Sequence, residues 1–217
     1  MSDQSLVLLA ILDSNRRLGN GAVNRTTLVK QVFLAEILRP LYRIWEQHFN
    51  FFKYNHGPYS DEIFTKLDTL MFNGLVTAER FRKSRSRIEG RYTITVNGIK
   101  LLEKTDQPQI LSLSRDLIWA LQTLGIEQSN SICKLVYEES EFAQVLADHA
   151  RRGIPSNIKG NLPAITKEGN ETFIALSILK QLQKSVSLTD VSLSLRETTR
   201  LFLTALALRA ARHRSTN

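Results

Sequence analysis

Between Phe49 and Val96 the spacing of apolar positions changes more than once. Phe49, Phe51 and Phe52 with Tyr54 suit a pleated, half-buried strand. Ile63, Leu67, Leu70 and Met71 then recur at helical spacing, and Tyr92, Ile94 and Val96 alternate with Thr93 and Thr95. The spacing predicts a strand, a turn at His56-Gly57-Pro58, a helix capped by Ser60, and strands over Leu75–Phe81 and Arg91–Val96. Asp61 and Glu62 fall in the first turn of that helix, where its dipole favours negative charge. Asn73-Gly74 closes it, glycine being the usual left-handed residue there. A helix feeding a two-stranded hairpin is the order of a winged helix, the hairpin tip being the wing.

The flanks read as helical. Gln4–Leu12 predicts a short helix buried nearly all round, followed by a loop at Gly19-Asn20-Gly21. Asn24 is the expected N-cap of a helix reaching Arg39, with Leu28, Val32 and Ala35 on one face and Val29, Phe33 and Ile37 widening it. Pro40 disfavours helical geometry at Arg39. Asn97 is expected to cap a helix over Gly98–Glu103. Asp106-Gln107-Pro108-Gln109 marks a domain boundary. Beyond it, helices are expected over Leu113–Leu124, Ser129–His149, Thr172–Leu182 and Asp190–Arg212, with a long loop over Arg151–Gly169. Leu201, Phe202, Ala205, Leu208 and Ala211 form the expected core face of the last helix. Leu203 and Leu206 extend it beyond what a monomer needs, which points to a partner helix. The expected fold is mainly α with a small β-hairpin: a winged helix-turn-helix domain over 1–105, then a helical domain over 106–217 that serves dimerisation.

Charge sharpens this picture. The 217 residues carry a formal charge of +8, which makes polyanions plausible partners. Six basic residues, Arg80, Arg82, Lys83, Arg85, Arg87 and Arg91, crowd the wing with Glu89 as the only acid among them. At a hairpin tip such side chains straddle phosphates without reading bases, and arginine suits bidentate phosphate contact. Gly90 gives the tip backbone freedom. The plainer alternative is a solvated loop kept soluble by its charge. The helix ahead of the wing argues the other way. Its exposed positions, Asp61, Glu62, Thr65, Lys66, Asp68, Thr69 and Asn73, hold three acids against one lysine. Thr65, Lys66, Thr69 and Asn73 remain able to touch bases with the acids turned outward; otherwise this helix faces a protein. Arg209, Arg212 and Arg214 end the last helix, where cations suit the dipole as well as they suit nucleic acid.

Catalytic patterns are thin. His48, His56, His149 and His213 are scattered without a metal-ligand partner at helical spacing. Cys133, the only cysteine, reads as a buried small hydrophobe and leaves no disulfide framework. Glu138, Glu139 and Glu141 cluster, but no strand-borne acid and lysine complete a nuclease pattern. Leu6–Leu12 is too short to span a bilayer and lacks the flanks of a signal peptide. No enzyme, cofactor or metal is expected, and the expected location is the cytoplasm.

From His56-Gly57-Pro58-Tyr59-Ser60 to Asn73-Gly74-Leu75-Val76 the chain resembles bacterial YwgA-type proteins and, more distantly, the Panacea (SocA-like) antitoxin domain. Leu28, Lys30, Phe33 and Leu34 match their L-x-K-x-x-F-L helix, and Val136-Tyr137-Glu138 resembles a later piece. The similarity covers about residues 5 to 145. It implies a winged-helix-like fold and a place among mobile-element, defence or toxin-neutralising systems, and carries over no catalytic residue. The leading expectation is a homodimeric DNA-binding regulator or defence component led by a basic wing. The alternative is a protein-interaction module, an antitoxin or adaptor with a neighbour-encoded partner.

Overall fold

A computed structural model of the chain describes residues 2–54, 57–84, 87–138 and 193–215. In order these form α1 (Asp3–Arg17), β1 (Val23–Asn24), α2 (Arg25–Leu38), a 3-10 turn (Arg39–Tyr42), β2 (Phe52–Tyr54), β3 (Gly57–Tyr59), α3 (Asp61–Phe72), β4 (Val76–Ser84), β5 (Arg87–Ile94), α4 (Val96–Leu102), α5 (Pro108–Thr123), α6 (Ser129–Glu138) and α7 (Leu195–Ser215). The described chain is mainly helical, with a three-stranded antiparallel sheet in the order β1-β5-β4 and a separate β2–β3 hairpin.

Helix α1 is the axis of the core. Every residue from Ser5 to Asn15 is buried, because α2, α3, α4, α5 and β5 all pack on it. A helix enclosed on all sides needs no polar face, and it runs five residues past the expected Leu12. Asn24 caps α2 as its sequence suggests, accepting from the Thr27 N–H at 2.9 Å. The first β-hairpin is shorter than the aromatic run implies. β3 offers three partners, Gly57 to Tyr59, so the ladder ends at Phe52. Phe49 and Phe51 are buried ahead of it, Phe51 meeting Phe33 edge-on at 5.2 Å. Lys30 of α2 reaches the same hairpin and donates to the Pro58 carbonyl at 2.8 Å.

Two expectations change. Thr95, not Asn97, caps α4: its Oγ1 accepts from the Gly98 N–H at 3.2 Å and donates to the Gly74 carbonyl at 2.7 Å. The extended backbone at the end of β5 delivers Thr95 to that position. On α7 the buried face is Phe202, Leu203 and Leu206, while Leu201 and Leu208 are exposed. Leu203 and Leu206 are therefore covered within the chain, and their apolar character is no sign of a partner helix. A helix apolar on most sides does not declare which stripe faces inward.

Helices α5, α6 and α7 close on α1 and α2 around one core that runs from Leu6 to Leu206. Three buried polar clusters cross it. The Tyr42 hydroxyl bonds Asp116 Oδ2 at 3.1 Å and Thr199 Oγ1 at 2.8 Å, tying the 3-10 turn to α5 and α7. Glu36 lies between the Arg39 guanidinium at 3.2 Å and the His48 ring at 3.1 Å. Asn15 and Gln31 exchange amide bonds at 3.0 and 3.2 Å. Among the described residues no helix is long and apolar enough to cross a membrane.

Candidate nucleic-acid interface

The β4–β5 hairpin is built on one irregularity. β4 and β5 pair in one register from Val76↔Ile94 to Glu79↔Arg91 and in another from Arg82↔Glu89 to Ser84↔Arg87. Arg80 and Phe81 thus oppose Gly90 alone, which is a β-bulge in β4. β1 reaches only Tyr92 and Arg91, so the ribbon beyond them is two-stranded. That ribbon bears Arg80, Arg82, Lys83 and Arg87 along its strands. Arg85 and Ser86 lie outside the described residues.

Arg91 stands at the root of the ribbon, opposite Glu79 on one side and Asn24 on the other. It is exposed and lines a cavity of about 530 Å³ with Asn15, Asn20, Asn24, Glu127 and Asn130 among its neighbours. The helix expected to read bases has its apolar side, Ile63, Leu67 and Leu70, sunk in the core. Its outer side is largely occupied with itself. Thr65 Oγ1 donates to the Asp61 carbonyl at 3.3 Å, Thr69 Oγ1 to the Thr65 carbonyl at 2.9 Å, and Asn73 Nδ2 to the Thr69 carbonyl at 2.8 Å. Such back-bonding uses the hydroxyl donors of Thr65 and Thr69 and one of the two amide donors of Asn73. Glu62 is held by the Asn50 N–H and side-chain amide, both at 3.1 Å, which draws its charge towards the residue-50 loop. Lys66 is half-buried, while Asp61 and Asp68 are exposed. Of the site residues expected on this helix, none is an exposed cation; the other expected basic residues lie on β4 and β5.

The structure adds one cation to this surface that the motif search passed over. Arg25, the first residue of α2, lays its guanidinium over the Phe64 ring of α3, 3.5 Å from the centroid, a cation–π contact. Phe64 in turn packs on Tyr59 at 5.5 Å. Burial raises the pKa of the neighbouring Tyr92 hydroxyl, with Arg25 lowering it and Asp68 raising it, so these three groups feel one another across the α2–α3–β5 junction. The signal was present in the sequence: a cation just after an N-cap opposes the helix dipole.

Cys133 is half-buried rather than fully enclosed. Burial raises its pKa, while the nearby Lys30 lowers it. Glu139 and Glu141, the helices expected over Thr172–Leu182, and the loop over Arg151–Gly169 lie outside the described residues. Among the described residues no cluster of three or more His, Cys, Asp or Glu is arranged to hold a metal ion. Comparison with known proteins brings no relative to bear: no protein-family model matches the chain, and no curated protein matches it.

Proposed function

We propose that residues 1–105 form a winged helix and that the protein is a non-enzymatic DNA-binding regulator or defence component, its binding led by the β4–β5 wing. The support for the arrangement is the element order α1-β1-α2-α3-β4-β5, with β1 beside β5 in an antiparallel β1-β5-β4 sheet. The β2–β3 hairpin is then an insertion between the second and third helices. The observation that carries the function is the two-stranded ribbon beyond β1, a basic arm with one acid. It would lie along phosphates and bind with little sequence preference. Arg25 and Arg91 extend that cationic surface towards the body.

The test is fluorescence anisotropy with a labelled DNA duplex over a range of salt concentrations. Replacing Arg82, Lys83, Arg85 and Arg87 with alanine is expected to weaken binding strongly. The salt slope should flatten by up to about 3–4, each lost phosphate contact removing roughly 0.9. Unchanged affinity and slope would overturn the reading.

A second reading has its own observation. α3 presents Asp61, Asp68 and a Phe72 that is 93% exposed. An acidic surface with a bare aromatic suits a protein better than a groove lined by phosphates, so α3 is the proposed contact for a neighbour-encoded partner in an antitoxin or adaptor role. Co-purification of such a partner, lost on Phe72→Glu while DNA binding persists, distinguishes the two.

A further inference from the structure

The cavity beside Arg91 is bounded by six segments: the C-terminal end of α1, the loop before β1, β1 itself, the start of α2, β5 and the entry to α6. At about 530 Å³ it falls within the roughly 300–1,000 Å³ of small-molecule sites. Its rear is pre-formed. The Asn15 amide donates to the Ile11 carbonyl at 2.9 Å and to Gln31 Oε1 at 3.0 Å, and its Oδ1 accepts from Gln31 and Asn20, both at 3.2 Å. Two formal charges stand on different walls, the Arg91 guanidinium on β5 and the Glu127 carboxylate ahead of α6. No ion pair joins them among the described residues. Glu127 Oε2 is buried and has no hydrogen-bond partner among those residues. A buried carboxylate oxygen without a donor is costly, and the residue that carries it lines this cavity.

We propose that this cavity binds a free α-amino acid, its ammonium group on Glu127 and its carboxylate on Arg91. A simple anion would meet the charge of Glu127, and a simple cation that of Arg91; a zwitterion answers both. The surrounding amides of Asn20, Asn24 and Asn130 offer donors and acceptors to the remainder of the molecule. Arg91 is also a member of the proposed DNA surface, so on that reading the bound amino acid withdraws a cation from the wing root and weakens DNA binding.

The binding step is tested without DNA. Each standard L-amino acid is titrated into the full-length protein by calorimetry, with its N-acetyl and its carboxamide derivatives as controls. At least one amino acid is expected to bind, and blocking either charge to cost about tenfold or more, the worth of a charge-assisted hydrogen bond. Glu127→Gln should remove the penalty for N-acetylation and leave the penalty for amidation; Arg91→Gln should do the reverse. Failure of every amino acid to bind, or equal binding of the blocked forms, overturns the proposal. Tighter binding of glycylglycine than of any amino acid overturns it too, in favour of short peptides. The consequence for DNA is read separately, with Glu127→Gln retaining DNA affinity but losing its response to the amino acid. If calorimetry succeeds and no DNA binding is found, the cavity assignment stands and the regulator reading falls.

Discussion

Lys30 shows how much one residue's surroundings matter. It is an ordinary lysine in an apolar run, yet its ammonium is buried and its pKa is lowered to about 8, chiefly by desolvation. The folded value lies below the unfolded one, so the unfolded chain holds the extra proton between about pH 8 and 10.5. Stability should therefore rise with pH through that window. Below about pH 8 the full cost of charging the buried amine is present. A shift of this size corresponds to roughly 3 kcal/mol. Urea unfolding of the wild type and of Lys30→Met from pH 7 to 10.5 checks this: the difference between them should shrink or reverse as the lysine loses its proton, and a constant difference would count against it. Gly98 is a second single-residue case. A β-carbon there would lie 2.4 Å from the Leu75 carbonyl oxygen and 2.6 Å from Ile94 Cγ1. The obstruction is backbone, so it yields poorly. Gly98→Ala is expected to cost about 1–3 kcal/mol, seen as a lower urea midpoint with the slope unchanged. Neither property is visible in the sequence, where Gly98 follows Asn97 as any turn glycine would.

At the scale of elements, α7 depends on contacts far away in the chain. Tyr42 OH joins Asp116 and Thr199, and Arg196 lies 3.4 Å from Asp116 Oδ1 and stacks over Trp119 at 4.4 Å. Tyr42→Phe leaves Asp116 and Thr199 buried with fewer partners. A loss of about 1–3 kcal/mol is expected, with faster amide exchange concentrated in α7; uniform loosening of the whole chain would show that the hydroxyl does not latch this helix. The periodicity of α7 identified a helix and placed Phe202 inward correctly, but it assigned Leu201 and Leu208 to the inner stripe in place of Leu203 and Leu206, because these leucines are equally apolar and only neighbours choose among them. The β4–β5 hairpin was legible because alternation and charge lie within one short stretch. Its bulge was not, since a register shift depends on which residues of two strands meet.

For the whole molecule, the division expected at Asp106 has to be set beside a core shared by α1, α2, α5, α6 and α7. The homodimer expected from the sequence would have to use the exposed side of α7, Leu201 and Leu208, rather than Leu203 and Leu206. If α7 dimerises, Leu201→Glu with Leu208→Glu should convert a dimer to a monomer by sedimentation and abolish any dependence of the unfolding midpoint on protein concentration. A wild type that sediments as a monomer would end the dimer proposal.

What the sequence determined by itself was local: the cap at Asn24, the helix over Asp61–Phe72, the alternation of the hairpin, and the concentration of arginine between Arg80 and Arg91. These follow from short-range sterics, hydrogen bonding and side-chain period, which act within a few residues. Tertiary structure alone decided that Lys30 would be buried against Pro58, that Glu62 would be drawn to Asn50, and that Arg25 would cover Phe64. It also placed Arg91 and Glu127 on the walls of one cavity. Those outcomes join residues from 12 to 39 positions apart. No local period encodes such distances, because burial and charge pairing are settled only when the elements pack.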